Sequence, residues 1–301
     1  MNTREKFDIV IVGGSYAGLS AAMSLGRAIR KVLIIDSGSP CNIQTPHSHN
    51  FLTQDGATPA AIGESAKKQV LAYPTIRFLS DTVTSLTGED NSFEILTEGN
   101  EKFAARKVLF ATGVKDLMPD IPGFRESWGI SVIHCPYCHG YEYKGQVTGI
   151  LVNGETAFEF ARLIRNWTDK LYILTHGAPT FDSETYQKIN ALGIKVIETE
   201  IKSIDHENGH ISGVVLQDGT IQYLEALYAR IPFRQHCGIP EAIGCKMTDM
   251  GHIQADDFQK TSIPGIFAAG DCTTPMRNVA NSVGAGSKAG AFINHQLLIE
   301  S

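Results

Sequence analysis

Phe7-Asp8-Ile9-Val10-Ile11-Val12-Gly13-Gly14-Ser15-Tyr16-Ala17-Gly18 is the stretch that decides the fold. An apolar, β-branched run passes straight into a glycine turn, and Leu19–Leu25 continues with helix-forming residues. Lys31–Ile35 is a second apolar run and ends in Asp36. Strand, glycine turn, helix, strand and acid, in that order, open a dinucleotide-binding βαβ unit. Unpaired N–H groups and the helix dipole at such a turn favour a pyrophosphate, and glycine lets the backbone come close to it. Gly13 and Gly18 hold the outer positions of G-x-G-x-x-G, with Gly14 between them and Ser15 in place of the middle glycine. Asp36 is spaced to accept hydrogen bonds from a ribose.

The same plan returns further along. Val147–Val152 reads as a strand, Asn153-Gly154-Glu155-Thr156-Ala157 as the turn, Phe158–Arg165 as the helix and Leu171–Leu174 as the next strand. The turns at Gly13 and Val152 lie 152 − 13 = 139 residues apart, the spacing of two copies rather than of one large domain. Between the copies, Thr82–Leu86 and Phe93–Leu96 form a hairpin around Gly88-Glu89-Asp90-Asn91, and Lys107–Phe110 is a strand ending in Ala111-Thr112-Gly113. After the second copy comes a β-meander, with turns at Glu207-Asn208-Gly209 and Asp218-Gly219. Gly265–Asp271 is a last apolar strand ending in Gly270-Asp271, and Asn281–Leu298 reads as a closing helix too short to stand alone. The expected fold is α/β. Two Rossmann-like dinucleotide-binding domains of the three-layer ββα type span 1–115 with 245–301, and 116–244, the second inserted into the first.

With 301 residues, each of two domains can bury a full core. A net charge of −6 with no Lys/Arg run argues against nucleic acid or an anionic membrane as partner. The opening Met-Asn-Thr-Arg-Glu-Lys is not a signal peptide, and no apolar run is long enough to span a bilayer. The expected address is therefore cytoplasmic. In a reducing compartment the six cysteines are no disulfide framework. Cys41, Cys237, Cys245 and Cys272 read as packed small hydrophobes.

Cys135-Pro136-Tyr137-Cys138 is different, because a Cys-x-x-Cys pair can close a short, readily reduced disulfide. His134 and His139 flank it, and an imidazole is suited to moving the thiol proton. Two other chemistries fit parts of the stretch. Cys135–His139 matches the C-x-x-C-H haem attachment site, which requires export. A structural zinc site would draw on a second ligand pair, and no second C-x-x-C appears, so no metal is assigned. A dithiol placed among dinucleotide-binding signals points instead to a flavoprotein that moves electron pairs between a flavin and thiols.

Over nearly its whole length the chain resembles the small thioredoxin reductases and their relatives among the FAD-dependent pyridine nucleotide-disulfide oxidoreductases. The resemblance rests on Gly13–Gly18 with Asp36, on Ala111-Thr112-Gly113, on Cys135–Cys138 and on Gly265–Asp271, in that order. It implies FAD bound by Gly13, Gly14, Ser15, Gly18, Asp36, Thr112, Gly113 and Gly270, with Asp271 on the ribityl chain and Val279 and Ala280 under the flavin ring. It implies that Cys138 faces the flavin and that Cys135 attacks the substrate. His139 stands where thioredoxin reductases carry an acidic aspartate. The implied partner is a thioredoxin-like protein or a small disulfide or dithiol, and the implied assembly is a homodimer.

The second nucleotide turn departs from the family pattern. Only Gly154 and Ala157 match its glycine-rich form, and Glu155 brings a negative charge. The place of Asp36 is taken by Thr175, and Thr175-His176-Gly177-Ala178-Pro179 offers neither an acid for a ribose nor an arginine fork for a phosphate. NADPH or NADH as donor thus stays open. So does a second electron flow known on this scaffold, that of dithiol oxidases, which carry Cys-x-x-Cys-His and pass electrons to oxygen. His47 and His49 sit in a loop whose counterpart lines the active site. Trp128 and Trp167 read as packing residues.

Overall fold

A computed structural model describes residues 5–300. Met1–Arg4, read above as part of a stretch with no leader character, and Ser301 lie outside the described residues. The chain divides into two compact units. The first holds residues up to Ile43, Phe51–Lys115 and everything from Phe233 on; the second holds Gln44–Asn50 and Asp116–Pro232.

In chain order the first unit contributes β1 (Glu5–Val12), α1 (Tyr16–Arg27), β2 (Val32–Asp36), α2 (Pro59–Leu71), β3 (Ile76–Ser80), β4 (Val83–Glu89), β5 (Ser92–Thr97), β6 (Lys102–Phe110) and β7 (Val114–Asp116). The strand order is β3-β2-β1-β6-β5-β4. β1 runs parallel to β6 along its length, so the other edge of β6 is shared. Antiparallel β5 takes its first half and parallel β17 (Ile266–Ala268) its second. Alternation sends Ile9 and Ile11 to one face with Leu25, Ala289 and Ile293, and Val10 and Val12 to the other with Val83, Leu86, Phe93 and Ile95. Helices cover the first face and the β4–β5 hairpin folds over the second, which gives three layers. A central parallel strand buried on both faces must be apolar throughout, as Ile9 to Val12 are.

The second unit repeats the plan with α3 (Phe124–Ser127), β8 (Val132–Ile133), α4 (Pro136–His139), β9 (Thr148–Leu151), α5 (Ala157–Ile164), β10 (Leu171–Leu174), α6 (Ser183–Ala191), β11 (Lys195–Ile197), β12 (Ile201–Glu207), β13 (His210–Leu216), β14 (Ile221–Tyr223) and β15 (Ala226–Ala229). Its parallel sheet runs β11-β10-β9-β15-β8, and β12-β13-β14 form a separate meander. Ile150 and Ile173 pack with Phe160 and Ile189 on the helix side, while Leu174 and Leu227 pack with Ile204 and Val214 on the meander side. The expected fold class, two Rossmann-like units with one inserted in the other, is what the chain adopts.

The chain re-enters the first unit at β16 (Phe233–Gln235), which pairs with β7. It continues through α7 (Ile239–Ala242) and β17 into α8 (Val279–Ile299). The return therefore falls at Phe233 rather than at 245, because the stretch after β16 packs Cys237, Ile239 and Ile243 on the first unit's core. Helix α8 lies so close to α1 that a Cβ at Gly286 would fall 2.0 Å from the Ala17 carbonyl oxygen. Among the described residues no helix is long and apolar enough to cross a membrane.

Candidate active site

The glycine turn between β1 and α1 is shaped by close backbone contacts. A Cβ at Gly13 would lie 2.3 Å from the Ala111 carbonyl oxygen, and one at Gly18 would lie 1.9 Å from the Gly13 carbonyl oxygen. Gly13 also holds φ +104°, a region that only glycine enters freely. Ser15 is the N-cap of α1 and makes no side-chain cap. Asp36, at the end of β2, accepts from the Gly14 N–H at 2.8 Å and from the Gly38 N–H at 3.2 Å.

The other predicted cofactor residues of the first unit come from three further elements. Thr112 and Gly113 follow β6, and the Thr112 Oγ1 is buried with no hydrogen-bond partner. An orphaned buried hydroxyl marks a place where a ligand group is expected. Gly270 and Asp271 follow β17; Asp271 Oδ1 accepts from Ser282 Oγ at 3.0 Å, and its Oδ2 lies 3.9 Å from Arg277 Nε. Val279 and Ala280 begin α8, whose N-cap Asn278 accepts from the Asn281 N–H at 2.7 Å. The glycine cradle, the ribose-spaced acid and the orphaned hydroxyl fit FAD. Arg277 was not anticipated, since a single arginine in a loop carries no sequence signal of its own.

In the second unit Cys135 and Cys138 form a disulfide, with Cα atoms 5.3 Å apart. Cys135 is the N-cap of α4, and its carbonyl accepts from both Cys138 and His139 N–H groups at 3.2 Å, which closes the turn. Tyr137, inside the pair, is exposed and meets Trp167 edge-on at 5.6 Å. His134 is not a solvated flank: it stacks on the buried Trp128 at 5.8 Å. Burial, followed by the charge of His49, pushes the His139 imidazole down to about 4. Desolvation penalises the charged form, so His139 is neutral at pH 7.

The second nucleotide turn is stitched by one side chain. Asn153 Oδ1 accepts from Gly154 N at 2.9 Å, Thr180 N at 2.7 Å and Thr180 Oγ1 at 3.1 Å, while its Nδ2 donates to the carbonyls of Thr175 and Ala178 at 3.2 and 2.9 Å. Thr175 Oγ1 donates to the Gly177 carbonyl at 2.6 Å, and His176 Nδ1 accepts from the Ile201 N–H at 2.9 Å. In a dinucleotide site the groups at the ends of these strands serve pyrophosphate and ribose. Here Asn153, Thr175 and Thr180 bond these groups to one another, so the turn departs from the common coenzyme-binding form.

Cys41 is exposed, against the expectation of a packed residue, because its loop leaves the sheet after Asp36; its Sγ lies 3.9 Å from Asp271 Oδ2. Cys237 is half-buried, and Cys245 and Cys272 are buried.

Paired dinucleotide-binding units with a redox disulfide in the second define a flavin-linked disulfide oxidoreductase. Residues 7–286 match the pyridine nucleotide-disulphide oxidoreductase family, and the chain belongs to it. It is 32% identical to a thioredoxin reductase, sirT, of Leptosphaeria maculans over 97% of this chain and 94% of that one. It is 31% identical to thioredoxin reductase tcpT of Claviceps purpurea over 100% and 97%. The crystal structure of an oxidoreductase from Agrobacterium tumefaciens superposes with a TM-score of 0.92 at 37% identity, over 98% of this chain and 100% of that one. The protein is a thioredoxin reductase-like enzyme of a family that uses FAD, with NAD(P)H as reductant.

Proposed function

We propose that the enzyme moves electron pairs between FAD and thiols through Cys135 and Cys138, acting on a thioredoxin-like partner or a small-molecule disulfide, with NAD(P)H as donor. The observation that carries this reading is the Cys135–Cys138 disulfide with a partly buried His139 directly after it. FAD, when bound, supplies the two-electron exchange with the disulfide. Gly13, Gly14, Ser15 and Gly18 would hold its pyrophosphate, Asp36 a ribose, and Asp271 the ribityl chain. Thr112, Gly113, Gly270, Val279 and Ala280 would complete the seat.

In the reductive direction His139 takes the proton of the Cys135 thiol. The thiolate attacks one substrate sulfur; a Cys135–substrate bond forms and the substrate S–S bond breaks. The imidazolium returns its proton to the leaving thiolate. Cys138 then attacks the Cys135 sulfur, which restores the internal disulfide and frees the second substrate thiol. A cytoplasmic homodimer belongs to the same reading.

A second reading, dithiol oxidation with oxygen as final acceptor, is favoured by the departure of the second nucleotide turn from the glycine-rich form, with Asn153 bonding Ala178 and Thr180 there. In that direction the same bonds form and break in reverse. An anaerobic titration with NADPH and then NADH, followed in the flavin absorbance band, separates the two. Bleaching supports the nicotinamide-driven reductase; no bleaching, with ready bleaching by dithiothreitol, supports the oxidase. Cys138→Ser should stop turnover in both directions while FAD stays bound, and wild-type turnover in that variant would overturn both readings.

A further inference from the structure

Gln235, the last residue of β16, ties two other stretches of the first unit to its own strand. Its Nε2 donates to the Gly251 carbonyl at 2.8 Å and to the Cys272 carbonyl at 3.1 Å. Cys272 directly follows Asp271, and its Sγ lies 3.6 Å from the Phe110 carbonyl at the end of β6. His236, the residue after Gln235, donates its N–H to the Gly113 carbonyl at 3.4 Å. Gln235 is therefore bonded, through Cys272 and through its own chain neighbour, to the two segments read above as walls of the FAD seat: Gly270 with Asp271, and Thr112 with Gly113.

The two side-chain bonds fix the orientation of the amide. Both acceptors are carbonyl oxygens, so the nitrogen faces them and the oxygen faces away. That oxygen, Oε1, is buried and has no hydrogen-bond partner among the described residues. Thr112 Oγ1 is in the same condition. Buried polar atoms of folded proteins are nearly always paired, so each marks the place of a group that the chain does not supply. An amide oxygen only accepts, and the group it lacks must carry an N–H or O–H.

We infer that Gln235 is a further residue of the FAD seat, its side-chain oxygen accepting from an N–H or hydroxyl of the bound cofactor. The inference rests on the reading of that seat given above. With Asp271 on the ribityl chain, the donors that this half of FAD offers are the ribityl hydroxyls and the N–H of the flavin ring. The rival occupant is a buried water. His252, whose ring packs on Phe233 at 4.6 Å, also has a buried Nε2 without a partner, and one water could bridge the two side chains. A water would leave FAD affinity independent of Gln235.

The test uses the full-length holoprotein. Serial dilution, with flavin fluorescence reporting released FAD, gives the dissociation constant. Heating gives the temperature of flavin release, to be set against the unfolding temperature read by circular dichroism. Gln235→Met keeps the length of the side chain and removes its polar atoms. It should weaken FAD binding about tenfold, the loss of about one buried hydrogen bond, and should release flavin further below unfolding than the wild type does. Gln235→Ala makes the same deletion in less space and covers the case in which methionine is not accommodated. Gln235→Glu keeps an acceptor oxygen and loses the two donor bonds, so it should bind FAD more tightly than Gln235→Met. Equal or weaker binding by Gln235→Glu would assign the effect to the lost tie on Cys272 and overturn the contact. A wild-type dissociation constant in the methionine and alanine variants would overturn it too and leave the oxygen to water, as would flavin release that only follows unfolding. In those cases the role of Gln235 alone falls. If the wild-type protein neither carries FAD nor takes it up when it is added, the reading of the seat falls with it.

Discussion

Thr180 donates both its backbone N–H, at 2.7 Å, and its hydroxyl, at 3.1 Å, to the side-chain oxygen of Asn153. The pair ties the turn after β9 to the loop after β10, at the edge where the sheet would meet a coenzyme. Asn153→Ala removes the shared acceptor and leaves the Thr175 and Ala178 carbonyls without their donor. Because the site is partly exposed, water replaces some of these bonds. The expected cost is about 0.5–1.5 kcal/mol, the net worth of a typical intramolecular hydrogen bond. Urea unfolding of the wild type and the variant measures it, and an unchanged midpoint would mean that the network is not structural.

Gly18→Ala should be far more damaging than an ordinary helix substitution. The added carbon would meet the Gly13 carbonyl oxygen at 1.9 Å, so the glycine turn must open. Overpacking of this kind costs about 1–3 kcal/mol, occasionally more. It also moves the backbone proposed to hold the pyrophosphate. The variant should purify with substantially less flavin per chain, read from the ratio of visible to ultraviolet absorbance. Full flavin content with normal stability would show that the turn can relax without losing its ligand.

Much of this architecture was legible in the chain because its signals are local. Ile9–Val12 into Gly13, and Leu171–Leu174 after a short helix, announce themselves by apolar runs and turn residues within a dozen positions. The return to the first unit at Phe233 was not legible, because a three-residue strand is placed by its pairing with Val114–Asp116, over a hundred residues away. The candidate site divides in the same way. Cys135, Cys138 and His139 stand together in sequence, whereas His49 reaches Glu142 only through the path of a loop, and the fivefold role of Asn153 depends on where Thr180 comes to rest. The lowering of the His139 pKa was not legible, because burial is a property of the fold rather than of the residue.

Lys107 is fully buried, and its ammonium is held by Asp90 and by both carboxylate oxygens of Glu300 at 2.8 and 2.7 Å. Glu300→Gln leaves a buried cation with one carboxylate instead of two. Removing one partner of a buried pair is costly, about 3–5 kcal/mol when fully enclosed, and less here because Glu300 is 23% exposed. Lys107→Met, which removes the charge itself, should be tolerated better than its burial suggests. Thermal melts of the two variants test this, and a larger loss for Lys107→Met would reverse the argument.

The four cysteines outside the disulfide should alkylate in order of access. Cys41 is exposed and should react within the mixing time of an ordinary labelling experiment, whereas Cys272 is fully buried, with its thiol pushed up to about 12 mainly by burial. Reactivity follows the thiolate, so Cys272 should label only on unfolding. Cys245 is buried and raised as well, and Cys237 is raised by burial while half-buried, so these two should fall between. Mass mapping of native and urea-treated protein checks the order. Rapid native labelling of Cys272 would mean that the β17 end of the first unit opens.

His139 makes stability depend on pH in a defined direction. Its imidazole titrates at about 4 in the folded protein against 6.5 for an unperturbed histidine. Between those values the unfolded chain binds the proton and the folded chain does not, so stability rises with pH across this window. The contribution is complete above about pH 6.5 and is lost as pH falls toward 4. A shift of this size corresponds to roughly 3 kcal/mol at 1.36 kcal/mol per unit, an upper figure for a group that is only partly enclosed by accessible area. His139→Phe, which cannot bind a proton, should remove most of this slope between pH 4 and 6.5 without altering the acid response of the carboxylates below it. Denaturant midpoints of wild type and variant across the window measure the difference. Parallel curves would mean that His139 takes its proton in the folded state as easily as in the unfolded one, and that the disulfide then sits beside an imidazolium rather than a neutral base.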